Sequence, residues 1–208
     1  MRPFIFILLF PLVTLGQGKE IISVRAGFSG TIIVFKEAVD PSFLNFGLTF
    51  DDNKSFNASG PEFGLSKSIN NNFFIDLAFS NFSGKHTKFQ YNGNEFWYSL
   101  KGYQIPLTVN YLFRDYTKKL RFNLGGGIQY LQANLEQYET IDEGADDITN
   151  QRTDITITEL QFSARPGIQY RIIPNLFADF VVRLSVSSNG RVAYSPCILL
   201  KYSFMHKQ

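Results

Sequence analysis

The sequence predicts an all-β fold: an eight-stranded antiparallel up-and-down transmembrane β-barrel with short periplasmic turns and longer extracellular loops. Three observations carry it. The amino terminus has the form of an export signal, stretches of about ten residues alternate with period two, and the links between them are alternately short and long. After Gln17 no apolar run approaches the roughly 20 residues that a membrane helix needs.

In the amino-terminal segment Arg2 supplies the positive charge, Phe4 to Leu15 form the apolar run, and Thr14 and Gly16 stand as small residues before a cleavage site. Residues 1–16 are therefore read as a signal peptide, with a single barrel domain over 17–208. No cysteine follows the apolar run, so a lipid anchor is not expected. Among 208 residues there are 22 Phe and 10 Tyr against one Trp, a composition that favours strands. A net charge of +2 makes no case for nucleic acid, which needs a clustered basic face. The lone Cys197 allows neither an intrachain disulfide nor a cysteine metal site.

The strands follow in order, each with an apolar face opposed to a polar one. Ile22, Val24, Ala26 and Phe28 oppose Ser23, Arg25, Gly27 and Ser29. Phe63, Leu65 and Ile69 oppose Glu62, Gly64, Ser66 and Ser68, with Lys67 out of pattern on the apolar side. Phe73, Ile75, Leu77 and Phe79 oppose Phe74, Asp76, Ala78 and Ser80. Tyr103, Ile105, Leu107, Val109, Tyr111 and Phe113 oppose Gln104, Pro106, Thr108 and Asn110. Phe122, Leu124, Gly126, Ile128 and Tyr130 oppose Arg121, Asn123, Gly127 and Gln129. Leu160, Phe162, Ala164, Pro166, Ile168 and Tyr170 oppose Glu159, Gln161, Arg165, Gln169 and Arg171. Leu176, Ala178, Phe180, Val182, Leu184 and Val186 oppose Phe177, Asp179, Val181, Arg183 and Ser185. In the last strand Tyr194, Ile198, Leu200, Tyr202 and Phe204 oppose Ser195, Cys197, Lys201 and Ser203.

A secreted β-sandwich or a lipocalin-like barrel would also alternate. Two features favour the membrane barrel. The polar face carries Arg, Glu, Asp and Gln near strand centres, and the links keep a short–long order that a sandwich has no reason to keep. Short links fall at Asn70–Asn72, Arg114–Lys119 and Ile173–Asn175. Long ones fall at about Ser29–Gly60, Ser83–Glu95 and Ala133–Ile155. Matching faces across the final turn requires a three-residue loop, Ser188-Asn189-Gly190, with Gly190 in the left-handed bulge position. Three Asn residues suit the odd-length link at 70–72. An even strand number puts both termini in the periplasm. Tyr202, Phe204, Phe113, Phe122 and Tyr170 are expected in the periplasmic aromatic girdle, and Tyr98, Tyr130 and Tyr194 towards the outer one.

The segment Gly102-Tyr103-Gln104-Ile105-Pro106-Leu107-Thr108-Val109-Asn110-Tyr111 resembles the Ile-Pro strand of the Bacteroidota outer-membrane β-barrel family, the PorT-like or OmpX-like eight-stranded barrels. The Gly-rich strand Leu124–Tyr130 and the closing Tyr202-Ser203-Phe204 are similar to that family as well. The resemblance implies an outer-membrane barrel of a Gram-negative bacterium. It implies a part in protein secretion for some members and assigns no catalytic residue.

The candidate site is the polar interior. Arg25, Glu62, Asp76, Arg121, Glu159, Arg165, Arg171, Asp179, Arg183 and Lys201 share the inward face. Eight strands enclose a space just wide enough for side chains to fill. Such charges must be paired, because an isolated buried ion costs several kcal/mol. A salt-bridged plug is the favoured reading over a narrow channel, with Asp179 expected to meet Arg171 across the sixth and seventh strands. His86 lies near Ser83 but has no carboxylate in sequence to complete a hydrolytic triad, and His206 lies in the tail. Glu136, Glu139, Asp142, Glu143, Asp146, Asp147 and Asp154 are read as a solvated acidic loop without calcium-loop spacing, and Cys197 as an inert buried thiol. The expectation is a small non-enzymatic barrel with no cofactor and no metal. Its partners would be outer-membrane lipid and lipopolysaccharide, the barrel-assembly machinery during biogenesis, and a protein met through the loops. A monomer is expected. The alternatives are a secretion component, a small pore and, last, a lipid-modifying enzyme.

Overall fold

A computed structural model describes residues 21–35, 55–91, 94–113, 119–142 and 148–205. The expected signal peptide, most of the first long loop and His206 lie outside the described residues. Eight strands form a closed barrel in sequence order: β1 Ile21–Val34, β2 Ser55–Ser68, β3 Phe73–Tyr91, β4 Asn94–Leu112, β5 Leu120–Asp142, β6 Ile148–Ile173, β7 Leu176–Ser187 and β8 Val192–Met205. Every neighbouring pair is antiparallel, and β1 closes on β8 through registers such as Arg25 with Lys201 and Phe28 with Ile198.

Apolar residues of the alternating stretches point outwards: Phe28, Phe63, Leu160, Phe162 and Ile198 are among the most exposed, as a lipid-facing wall requires. Turn chemistry pins the registers. At the 70–72 link the Asn70 side chain accepts from the backbone N–H of Asn72 and of Phe73, both at 2.9 Å. At the final turn Gly190 has φ 72° and donates to the Ser187 carbonyl at 2.9 Å, closing the expected three-residue loop.

Two of the long links are mostly strand. β3 runs to Tyr91 and β4 restarts at Asn94, so Ser83–Glu95 is a paired hairpin. β5 continues to Asp142 and β6 restarts at Ile148, pairing through Ala133–Ile157 to Asp142–Ile148 without a break. The alternation does not stop in these stretches; it changes sign. On β5 the outward row is Phe122, Leu124, Ile128, Tyr130 and then Gln132, Asn134, Glu136. The inward row is Arg121, Asn123, Gln129 and then Leu131, Ala133, Leu135. Apolar-out within lipid becomes apolar-in above it, because water now wets the outer face.

β7 and β8 end at this boundary, whereas β3 to β6 project beyond it as a four-stranded sheet. Tyr98, expected in the outer girdle, is buried instead. It faces the inside of the projecting part, where its hydroxyl donates to Asn57 Oδ1 at 2.7 Å.

Candidate functional site

The interior has two layers. In the lower one a chain of ion pairs crosses the barrel. Arg183 grips both carboxylate oxygens of Glu62, through Nη2 to Oε2 and through Nη1 to Oε1 at 3.2 Å. Arg25 bridges Glu62 Oε1 at 3.2 Å and Asp76 Oδ2 at 2.6 Å. Arg165 closes the line, 3.5 Å from Asp76 Oδ2, and its Nη1 donates to the amide oxygens of Asn110 and Asn123, both at 3.0 Å. All of these side chains are buried. Together the line ties β7, β2, β1, β3 and β6 through side chains, independently of the backbone ladder.

Inward-facing glycines make the room. A Cβ on Gly64 would stand 2.6 Å from Arg25 Nε, and one on Gly125 2.0 Å from Asn110 Oδ1. The remaining lower cations lie on aromatic rings: the Arg121 guanidinium 4.2 Å from the Phe177 centroid, and Lys201 Nζ 4.4 Å from that of Phe74. Cys197 is buried beside the pair, its Sγ 3.1 Å from Arg183 Nη2 and 3.5 Å from Glu62 Oε2.

Two sequence expectations need correction. Asp179 is opposite Gln169, whose Nε2 donates to its Oδ2 at 3.1 Å. Arg171 faces Phe177 in register and is half exposed near the periplasmic end, so it stands outside the buried line. By register Arg171 remains the diagonal neighbour of Asp179, as a three-residue link requires, but the two side chains form no ion pair; a bulge follows directly, between Arg171 and Ile173. Glu159 does find a cation, but it is Arg191, which stands between the final turn and β8 and was not among the expected inward charges. Continuing the inward row of β8 back by two residues from Ala193 would have placed it. Asn110, Asn123, Phe74 and Phe177, uncharged partners of the cations, were likewise legible only as members of the inward row.

The upper layer is apolar. Ile33, Phe35, Phe56, Ala58, Phe82, Leu100, Leu131, Ala133, Leu135, Ile157 and Ala193 pack with Tyr98 into one buried cluster inside the barrel. Phe56 stands edge-on to Tyr98 at 4.8 Å and to Phe35 at 5.8 Å between centroids. The polar line is thus capped on its extracellular side by a hydrophobic cluster, beside which the Arg191–Glu159 pair lies over Phe35.

Outside that cap, the projecting sheet carries a stack across four strands. The rings of Trp97 on β4 and Tyr138 on β5 lie 3.8 Å apart and nearly parallel. Lys85 Nζ on β3 covers Trp97 at 3.8 Å, and Arg152 on β6 covers Tyr138 at 5.4 Å. Beside it Lys101 bonds Glu136 at 3.0 Å, while Arg152 reaches Glu136 at 3.7 Å and Asp154 at 3.0 Å. Lys101 is the main cause that holds the Glu136 carboxyl below its ordinary range. Glu136 and Asp154, expected in an acidic loop, are therefore paired strand residues. His86 sits on β3 with its ring 5.3 Å from that of Tyr98.

A closed antiparallel eight-stranded wall, apolar outside and polar within, with hairpins projecting from one end, is the architecture of small outer-membrane barrels. Solved structures similar to this chain are of that class. The attachment invasion locus protein Ail of Yersinia pestis is 12% identical, with a TM-score of 0.53 over 89% of this chain and 99% of its own. Neisserial surface protein A is 12% identical, at 0.50 over 89% and 97%. Acinetobacter baumannii CarO2 is 8% identical, at 0.51 over 88% and 99%. At these identities the likeness establishes the fold. No protein-family model and no curated protein sequence matches the chain.

Proposed function

We propose that the protein is a non-enzymatic outer-membrane barrel with a closed interior, acting at the cell surface through the sheet formed by β3 to β6. The two-layered interior carries this reading. A conducting path would have to pass the aromatic and aliphatic cap and then the Arg183–Glu62–Arg25–Asp76–Arg165 line, in which each charge is held by another. We assign that line the role of a structural plug. The outward apolar wall fits outer-membrane lipid. The exposed polar row that begins at Asn81, Gln132 and Thr158, just above the apolar wall, supports contact with lipopolysaccharide headgroups. A PorT-like part in secretion would be a special case of the same surface role, supported by the Ile105-Pro106 strand alone.

The test is electrical. Purified protein reconstituted in a planar bilayer is expected to give no stepwise conductance. Reproducible single-channel steps would overturn the closed-interior reading and make the protein a small pore.

A further inference from the structure

We infer that the lower interior is an anion site: it holds one phosphate dianion, taken from the periplasmic side, as the missing countercharge of the buried ion line. The inference goes beyond the surface role and does not depend on it. Among the described residues, five buried cations of this layer, Arg25, Arg121, Arg165, Arg183 and Lys201, stand against three buried carboxylates, Glu62, Asp76 and Asp179. Lys67 is also buried but lies on the outward row of β2, and Arg191 with Glu159 forms a balanced pair higher up. The layer therefore carries an excess of two positive charges. Contacts with aromatic rings spread such charge without cancelling it. An unanswered charge away from water is strongly unfavourable, and a small anion relieves it directly.

The excess is concentrated at the periplasmic end. Phe177 has Arg171 and Lys201 as its cross-strand neighbours, and the Arg121 guanidinium lies 4.2 Å from its centroid. Lys201 Nζ stands 4.4 Å from the Phe74 centroid, and the Arg165 guanidinium 5.9 Å from the same ring. The carboxylates are committed elsewhere. Glu62 and Asp76 are taken up by Arg183, Arg25 and Arg165, and Asp179 accepts from Gln169. Arg171 is half exposed at this end and marks the entrance, since the apolar cluster shuts the other side.

The class of anion follows from charge and from the donors left over. Arg165 Nη2, Asn123 Nδ2 and Ser66 Oγ are buried without a hydrogen-bond partner. Ser66 is diagonal to Phe74 across β2 and β3, and opposite Ser23, whose hydroxyl bonds that of Ser203 at 2.9 Å. Ammonium, guanidinium, amide and hydroxyl donors together suit a tetrahedral oxyanion, and a dianion matches the charge excess. Asp76 Oδ1 and Asp179 Oδ1 are also unbonded. Hydrogenphosphate has one hydroxyl to donate to such an oxygen, whereas sulfate has none. The site is thus one for phosphate, free or at the end of a monoester.

The test is a linkage measurement on the full barrel, refolded in neutral detergent and titrated with denaturant on unheated gels. With about 10 mM phosphate and a dissociation constant near ~1 mM, the folded-to-unfolded ratio should rise roughly tenfold, with no rise from sulfate at the same ionic strength. Glycerol phosphate separates the two sources: an equal rise assigns the monoester end, and no rise assigns the free ion. Lys201→Met removes one excess cation. It should abolish the phosphate response and leave the phosphate-free barrel at least as stable as before. A lysine that served packing alone would instead destabilise equally in both buffers. If that variant does not fold, Ser66→Ala should weaken the response severalfold. No phosphate-dependent shift in the unmodified chain, or an equal shift from sulfate that Lys201→Met retains, would overturn the site.

Discussion

Glu62 is the residue on which the interior turns, because one carboxylate serves both Arg183 and Arg25. Glu62→Ala leaves two guanidinium groups with little water to screen them and is expected to destabilise the barrel by about 3–5 kcal/mol. Denaturant titration of the folded band on unheated gels would measure it. A loss within about 1 kcal/mol, as for a surface pair, would mean water reaches the plug. Arg171→Ala is the matched control. That side chain is half exposed and outside the buried line, so its loss should stay under about 1 kcal/mol in the same titration. Gly125→Ala tests the fit of the network rather than its charge. The added carbon would meet Asn110 Oδ1 at 2.0 Å and push that amide off Arg165, at a cost of about 1–3 kcal/mol. A neutral Gly125→Ala would show that Asn110 can give way without loosening Arg165.

At the scale of elements, the projecting hairpins respond to pH through Glu136. Its pKa is lowered in the folded protein, so its stabilising contribution is complete above the ordinary carboxylate range and fades as the pH falls through the lowered value. Trp97 is the only tryptophan and stacks beside this residue's neighbours. Acidification from roughly pH 7 to pH 3 should therefore shift its emission, and Glu136→Gln should remove that dependence. An identical titration in the variant would place the cause elsewhere.

These hairpins are also where the sequence was least legible. The strands within lipid were plain, since Phe122-Asn123-Leu124 or Leu184-Ser185-Val186 alternate in a single sense. Above Tyr130 the same alternation reverses, and Gln132-Ala133-Asn134-Leu135-Glu136 has the composition of a loop when only apolar-outward strands are sought. The interior was legible as a row of inward residues. The pairings were not, because Arg191 with Glu159, or Arg165 with Asn110, depend on cross-barrel neighbours that no single strand displays.

For the molecule as a whole, closure and orientation make a joint prediction. The wall within lipid has no edge from which to unzip, so unheated and boiled samples should migrate differently on a denaturing gel. Equal migration would argue against a closed wall. Protease added to intact cells should spare the paired stretches 133–142 and 148–155, as well as the 70–72 turn on the opposite end. Cleavage at 70–72 in intact cells would invert the topology. The reversal of polarity above Tyr130 also bears on how the protein assembles, because its two ends are driven together by different solvents. Burial of Leu131, Leu135, Phe56 and Phe82 is rewarded by water itself, whereas Phe122, Ile168 and Phe180 gain nothing until hydrocarbon surrounds them. The tips can thus begin to order before insertion, while the wall waits for the bilayer. In a rapid-mixing experiment with vesicles, the Trp97 signal should change ahead of the gel shift that marks a closed wall; simultaneous change would make lipid the single trigger for both ends.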